Sequence, residues 1–387
     1  MTDIMRIGLH CQSAGVYPDL VVNMARKTGW TKVLNPNESF WNRVGPDSHA
    51  VVRLVPRGED ATDHGYVHQG ADGAVAYFDD WSHQYRAIQD IADAHDVAVL
   101  FEGPNEYHVN SSEQYTRFSA FTAKWIELMH RVGKHRVVMG SFSEGTPEVL
   151  DHNLMTKLVR LVVESHADAL GLHEYSWTSM DTDTPWHTLR YRWWLNVAKE
   201  MGANLPPIFI TENGLDKGVV NPGQRKGWKS ADISRQEYVD QILWYNAQIA
   251  KENAVECAFL YTATPTRDWR DYEVDAEIVD LLIEQGPGER AIDHSLYNYQ
   301  EPGEPPPPVG DVETWAKFFS GSLFDLGRFE LYAYAQEHGY TLIEDPSVKL
   351  CNGTPVAGAN AVKGGVPFFL GVDMSQENGV QVTKLFE

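Results

Sequence analysis

Short apolar runs recur along the chain, separated by longer amphipathic stretches. The runs at 5–10 (MRIGLH), 31–36 (TKVLNP), 50–56 (AVVRLVP), 97–102 (VAVLFE), 135–142 (HRVVMGSF), 167–175 (ADALGLHEY), 207–212 (PIFITE) and 256–262 (ECAFLYT) have strand character. Several are apolar without alternation, which is what strands covered on both faces need, as in a parallel sheet. Between the runs the period becomes helical. Ser111-Ser112-Glu113-Gln114 reads as a capping box, followed by Tyr115, Phe118, Thr122, Trp125 and Met129 at helical spacing. Ser234-Arg235-Gln236-Glu237 does the same ahead of Tyr238, Ile242, Tyr245 and Ile249. Further helices are predicted near 18–29, 77–95, 148–165 and 186–201.

Eight strands alternating with helices predict an α/β fold, a (β/α)8 TIM barrel. The competing doubly wound sheet would carry a Gly-rich phosphate loop after its first strand. Here that strand is followed by HCQSAGVYPDL, which holds neither GxGxxG nor GxxxxGK[ST]. After strand eight the pattern loosens. Residues 265–310 are charged and Pro-rich, and Pro305 to Pro308 exclude both helix and central strand there. The expected layout is a barrel domain over 1–344, with 265–310 as a long excursion before a last helix in 311–338. A Gly- and Val-rich appendage over 345–387 then reads as a small β unit or a subunit contact.

Composition narrows the function. With 43% hydrophobic and 11% aromatic residues, a large core is available, and one barrel with long loops can absorb 387 residues. A net charge of −22 repels phosphate backbones, so nucleic acid is excluded as a partner while a neutral sugar is not. Three widely spaced cysteines, Cys11, Cys257 and Cys351, make no disulfide framework. Without CxxC or HExxH, no structural zinc or other metal is expected. No run of apolar residues is long enough to insert in a membrane, and no signal peptide is visible. The expectation is a cytoplasmic protein or a mature form whose leader has been removed.

In a barrel, chemistry sits where strands end, at the C-terminal face. Those ends carry His10-Cys11-Gln12, Arg53 through Arg57, Asn105-Glu106, His173-Glu174-Tyr175, Thr211-Glu212-Asn213-Gly214, and Tyr261 with Asp268-Trp269 beyond it. Glutamates on strands four and seven face each other across the barrel mouth. Such a pair is what glycosidic cleavage requires: one acid protonates the leaving oxygen, and one carboxylate attacks the anomeric carbon or activates water. Period-two geometry puts Glu102 on the same side as Glu106, where a buried acid needs a partner, Arg53 or Arg57. Glu174 points the other way, toward the helices or solvent.

The stretches FEGPNE (101–106) and PIFITENG (207–214) resemble those of retaining glycoside hydrolases of clan A, whose barrels carry Asn-Glu at the end of strand four and a second Glu at the end of strand seven. VRLVP (52–56) and GLHEY (171–175) are similar to further stretches of that clan, and the likeness spans about residues 5–264. It implies Glu106 as acid/base and Glu212 as nucleophile, with no cofactor. It further implies Asn105 at the sugar hydroxyl beside the anomeric carbon, Arg53 next to Glu212, Glu102 as a buried support, and His173 or Tyr175 at the site. Two positions depart from the pattern. Tyr107 stands where many members have Pro, and strand eight ends in FLYTATP without their Trp, leaving Tyr261 or Trp269 to replace it.

Twelve tryptophans offer faces on which sugar rings can stack. Trp125, Trp193, Trp194 and Trp244 lie in helical stretches and read as core, whereas Trp41, Trp177, Trp228 and Trp269 follow strands or sit in loops and read as platforms. His10, ending strand one, can reach the same rim. The predicted substrate is an oligosaccharide, polysaccharide or glycoside. A non-catalytic carbohydrate-binding barrel within a larger assembly is the main alternative, and an isomerase or lyase using Glu as a proton shuttle is a third. Nothing in the chain speaks to its oligomeric state.

Overall fold

The computed structural model describes residues 4–12, 19–44, 48–55, 64–148, 151–181, 186–221, 223–288, 339, 341–342, 347–351, 354–363, 366–373 and 380–384. The chain divides into two units, Met1–Glu301 and Pro302–Glu387, whereas the sequence reading drew its line at 344/345.

The first unit is a closed barrel of eight parallel strands in chain order: β1 (Ile7–Cys11), β2 (Trp30–Leu34), β3 (His49–Arg53), β4 (Val99–Glu102), β5 (Arg136–Phe142), β6 (Ala169–Ser176), β7 (Ile208–Leu215) and β8 (Val255–Ala263). Closure comes from β8 pairing with β1, with Gly8 opposite Phe259. Every strand falls on one of the eight predicted runs. The helices are α1 (Asp19–Thr28), α2 (Glu38–Val44), α3 (His64–Val67), α4 (Gly70–Ala94), α5 (Ser112–Leu128), α6 (His152–Glu164), α7 (Tyr191–Glu200), α8 (Arg235–Ile249) and α9 (Ala276–Gln285).

Local chemistry starts α5 and α8 where the sequence said. Ser234 and Glu237 form the complete capping box of α8. At α5 only half of it forms. The Ser111 hydroxyl accepts the Gln114 N–H at 3.2 Å, but the Gln114 amide oxygen turns outward to the Asn110 N–H at 2.9 Å. The stretch expected as an irregular excursion begins instead with a 3-10 turn, Arg267–Tyr272, and then α9. Asp275 caps α9 by accepting the Ile278 N–H at 3.2 Å, and Ile278, Val279 and Leu282 are buried. Packed against α1 and α8, α9 is the eighth helix of the barrel. Its Ile278, Val279, Leu282 spacing is a helical signature that the surrounding acidic residues obscured. The helix expected in 311–338 lies outside the described residues.

Two apolar layers hold the barrel together. Trp30, Val51, Leu100, Val138, Ala169, Phe209, Cys257 and Phe259 form one cluster, one side chain from each of β2 to β7 and two from β8. Ile7, Leu9, Val33, Val52, Phe101 and Val137, on the other face of the strands, pack against helix residues such as Tyr77, Trp125, Leu158, Trp194 and Tyr238. Each fully buried Val, Leu or Phe contributes about 1.5–3 kcal/mol, so these layers supply the stabilisation that the polar interior spends.

Glu174 shows one such expense. It is fully buried and faces the helices, the first of its two expected positions. It accepts the N–H groups of Leu189 and Tyr191 at 2.7 and 2.8 Å and the Tyr245 hydroxyl at 2.6 Å, tying β6 to the start of α7 and to α8. Burial pushes its carboxyl up to about 7, although those three donors favour the charged form. A carboxyl raised on folding stabilises the fold fully below its ordinary range, and that contribution is lost as pH rises through about 7. The urea midpoint is therefore expected to fall more steeply for the wild type than for Glu174→Gln between about pH 5 and about pH 8. Equal slopes would exclude this residue as the source.

In the second unit, β10 (Ser347–Cys351), β11 (Thr354–Lys363), β12 (Val366–Asp373) and β13 (Val380–Lys384) make an antiparallel sheet in that order. β9 (Thr341–Leu342) pairs with β11 through Leu342 opposite Ala361. Lys363 opposes Val366 across the β11–β12 hairpin, and Ser347 opposes Gly358. The small β unit expected at this end is thus present. Among the described residues of the chain, no helix is long and apolar enough to cross a membrane.

Candidate active site

Alternation along the strands sets a polar layer two residues beyond the inner apolar cluster. Lys32 follows Trp30, Arg53 follows Val51 and Glu102 follows Leu100. His10 joins from β1 and His173 from β6, and both are fully buried. Glu212 enters by a different route. Between β6 and β7, Leu172 opposes Ile210 but His173 opposes Glu212, so Thr211 is an extra residue in β7. Strict alternation from Phe209 would turn Thr211 inward; the bulge turns Glu212 inward instead.

Glu212 is the hub of this layer. Its Oε1 lies 3.4 Å from Arg53 Nη1, 3.5 Å from Lys32 Nζ and 3.8 Å from His10 Nδ1. Its Oε2 accepts the Tyr175 hydroxyl at 2.8 Å and lies 3.6 Å from His173 Nδ1. Burial opposes its ionisation, but His173, Lys32 and Arg53 outweigh burial and hold the carboxyl well below the ordinary range. His10 is kept neutral by its own burial and by Lys32 beside it. Burial and the nearby Glu212 charge push the Tyr175 hydroxyl well up, so it stays a donor.

The expected cationic partner of Glu102 was Arg53 or Arg57. The structure corrects this. Lys32 Nζ makes the ion pair, at 2.8 Å to Oε2 and 3.1 Å to Oε1, while Arg53 turns to Asn105 and Glu212. Arg57 lies outside the described residues. Burial pushes the Glu102 carboxyl up, and the charges of Lys32 and Arg53 overcome it to keep the carboxyl below its ordinary range. Lys32 was missed because its strand was read only for apolar content. A lysine inside TKVLNP was the available signal, since a central barrel strand buries a cation only against a compensating charge.

A bulge in β5 builds the next level. The register slips between Gly140 and Phe142, leaving Ser141 extra with φ +47°. Its hydroxyl donates to Glu102 Oε1 at 2.7 Å, and its carbonyl accepts the Glu106 N–H at 3.0 Å. Glu106 is itself left-handed, with φ +50°. Left-handed backbone in a non-glycine residue costs about 1–3 kcal/mol and persists only where surrounding contacts impose it. Here the neighbouring Asn105 is clamped as well: its Oδ1 accepts from Arg53, and its carbonyl meets His64 Nε2 at 2.9 Å. The result points the Glu106 carboxylate at His173, with Oε1 2.8 Å from Nδ1 and about a third of the side chain open to solvent.

One donor atom from each of Glu106, His173 and Glu212 lies within 4.8 Å of the others, so the two carboxylates come together as expected. Among the described residues this is the one group of three with metal-ligand spacing. Arg53 and Lys32 already sit at 3.4 and 3.5 Å from Glu212, and their positive charge opposes a divalent cation there.

An aromatic wall rises on the β6–β8 side. Tyr261 stands edge-on to Tyr175, Trp269 and Tyr272, with ring centres 6.3, 5.3 and 5.6 Å apart, and lies 5.1 Å from His10. Gln12 Nε2 donates to its hydroxyl at 2.6 Å. Trp269 is half-buried, and the Arg225 guanidinium lies 5.4 Å from its ring centre. Tyr261 and Trp269 thus occupy the end of β8, where no Trp ends the strand. Trp177 is half-buried against the helix-facing core. Two other expected platforms fail. Trp41 is fully buried in the core, and Trp228 is buried flat against Tyr238 at 5.0 Å, with its indole N–H donating to the Glu273 carbonyl. Loop position in the sequence did not reveal that these rings fill gaps behind the barrel.

No protein-family model matches the chain, and comparison with curated proteins finds no match. Among its structural neighbours are glycoside hydrolases. The endo-1,4-beta-D-mannanase of Thermotoga petrophila RKU-1 is similar over 73% of this chain and 99% of its own, at 12% identity and a TM-score of 0.49. The beta-mannanase of the blue mussel Mytilus edulis is similar over 74% of this chain and 94% of its own, at 11% identity and a TM-score of 0.42. An endo-beta-1,3-glucanase of Amycolatopsis mediterranei is similar over 71% and 94%, at 11% identity and a TM-score of 0.40. Such likeness concerns the barrel; the chemistry rests on the residues of this chain.

Proposed function

We propose that this protein is a retaining glycoside hydrolase acting on a neutral oligosaccharide, polysaccharide or glycoside. The observation that carries the reading is the pair of carboxylates, Glu106 and Glu212, with oxygens within 4.8 Å at the C-terminal mouth of the barrel. Retaining enzymes hold their two carboxyl groups about 5–5.5 Å apart, whereas inverting ones need about 6.5–9.5 Å to admit a water between them.

The environments divide the labour. Glu212 is buried and held ionised by cations, as a nucleophile must be. Its attack on the anomeric carbon forms a glycosyl ester and breaks the bond to the leaving oxygen, which takes its proton from Glu106. Glu106 then removes a proton from water as that water attacks the anomeric carbon and expels the Glu212 carboxylate. Asn105 commits its Oδ1 to Arg53, which leaves its amide NH2 to donate to the hydroxyl beside the anomeric carbon. Trp269, half-buried, supplies apolar ring surface at the rim while Tyr261 is buried in the same aromatic cluster, and the charge of −22 suits an uncharged substrate better than an anionic one.

The test is stereochemical. An aryl glycoside panel should yield a substrate whose first-formed product, followed by proton NMR before mutarotation, keeps the anomeric configuration. An inverted product would overturn the mechanism. Glycan binding without turnover across the panel would favour the non-catalytic barrel.

A further inference from the structure

Lys32 and Glu102 lie beneath the two carboxylates and touch no solvent. The ammonium is shared unequally: 2.8 and 3.1 Å from the two Glu102 oxygens, but 3.5 Å from Glu212 Oε1. The 3.1 Å contact with Glu102 Oε1 is a charge-assisted hydrogen bond, the 2.8 Å approach to Oε2 is an ion-pair contact, and the contact with Glu212 is at the limit of a hydrogen bond. Glu102 cannot drift, because Ser141 on the β5 bulge donates to its Oε1 at 2.7 Å.

We propose that Lys32 is a positioning residue for Glu212, and that Glu102 acts through it by holding the ammonium off the nucleophile. The inference rests on the nucleophilic reading of Glu212 given above. A carboxylate bonded tightly to an ammonium in the resting state would lose that contact on attacking carbon, and so would raise its own barrier. At 3.5 Å, Lys32 keeps Glu212 charged without engaging it closely. The charge count points the same way. Lys32, Arg53, Glu102 and Glu212 balance in the free enzyme. When Glu212 becomes an ester its negative charge disappears, and Glu102 is the counter-ion that remains to a buried lysine.

The titratable and charged groups that face Glu212 are His10 from β1, Lys32 from β2, Arg53 from β3, His173 and Tyr175 from β6 and Tyr261 from β8, with Glu102 behind Lys32 and Glu106 beside His173. Lys32 and Glu102 can be altered without replacing any group that would meet substrate.

The experiment compares Lys32→Met, Glu102→Gln and the double variant. Ionisation of Glu212 is read by carboxyl-carbon NMR on glutamate-labelled protein, assigned with Glu212→Gln, and needs no turnover. Lys32→Met is expected to raise the midpoint by about one to three pH units. Glu102→Gln is expected to lower it as the ammonium closes on Glu212, with kcat down about ten- to a hundredfold and KM little changed. The double variant should lie close to Lys32→Met, because Lys32 is the hydrogen-bonded link between Glu102 and Glu212. Replacing both partners of a buried pair is also the change best tolerated by folding, so it keeps the comparison available if a single variant fails to fold. A double variant whose midpoint matches the wild type's, or midpoints that move the same way in both single variants, would overturn the proposal. If the NMR midpoints move as expected but the acid limb of the kcat/KM profile does not follow them, the nucleophile reading fails while the Lys32 assignment stands.

Discussion

Replacing Glu212 with Gln is expected to lower kcat/KM on an activated aryl glycoside by about four to six orders of magnitude, the scale seen when a covalent nucleophile is removed. The substitution preserves shape. It also keeps the Tyr175 contact, since the amide oxygen can still accept that hydroxyl, 2.8 Å away in the wild type. What it removes is the charge that Lys32 and Arg53 surround at 3.5 and 3.4 Å. With no carboxylate at this position there is no ester intermediate. A second variant makes the loss specific. In Glu212→Gly, azide can enter the vacated space and attack the anomeric carbon from the nucleophile's side, giving a glycosyl azide of inverted configuration. Undiminished hydrolysis by Glu212→Gln would remove Glu212 from the mechanism.

Glu106→Gln is expected to lose about two to four orders of magnitude, the usual contribution of general acid–base catalysis. The loss should depend on the leaving group. A nitrophenolate departs without a proton, so glycosylation survives and hydrolysis of the ester, which needs the base, becomes limiting. An alkoxide cannot depart unprotonated, so alkyl glycosides and natural linkages should suffer most. Plotting log(kcat/KM) against leaving-group pKa should give a steeper slope for the variant than for the wild type. Equal slopes would show that Glu106 is not the proton donor, whatever its 2.8 Å contact with His173 does.

Much of this protein was legible in its sequence. Eight apolar runs, several of them without alternation, become eight buried strands, because a strand covered on both faces has to be largely apolar. The Ser234–Glu237 box and the Asn105-Glu106 and Glu212 positions are local patterns whose meaning depends on few neighbours. Trp41 and Trp228 were misread, since following a strand does not tell a ring which way to turn, and in both cases a gap behind the barrel took it. The α9 helix was hidden by acidic residues that face solvent, although its Asp275 cap and apolar spacing were present.

The sequence by itself determined the barrel, the order of its strands and the two glutamates at its mouth, because these follow from periodicity and from where polar residues end apolar runs. The tertiary structure alone decided how the interior layer is wired. Thr211 and Ser141 are extra residues in β7 and β5, and each reverses the inward-outward count beyond it. The first turns Glu212 toward the axis, and the second holds both Glu102 and Glu106. A bulge is set by pairing with the neighbouring strand, so no reading of one strand reveals it. The choice of Lys32 over Arg53 as the partner of Glu102 has the same origin. Several buried charges converge from five strands, and which of them pair is settled by distances that exist only once the barrel has closed.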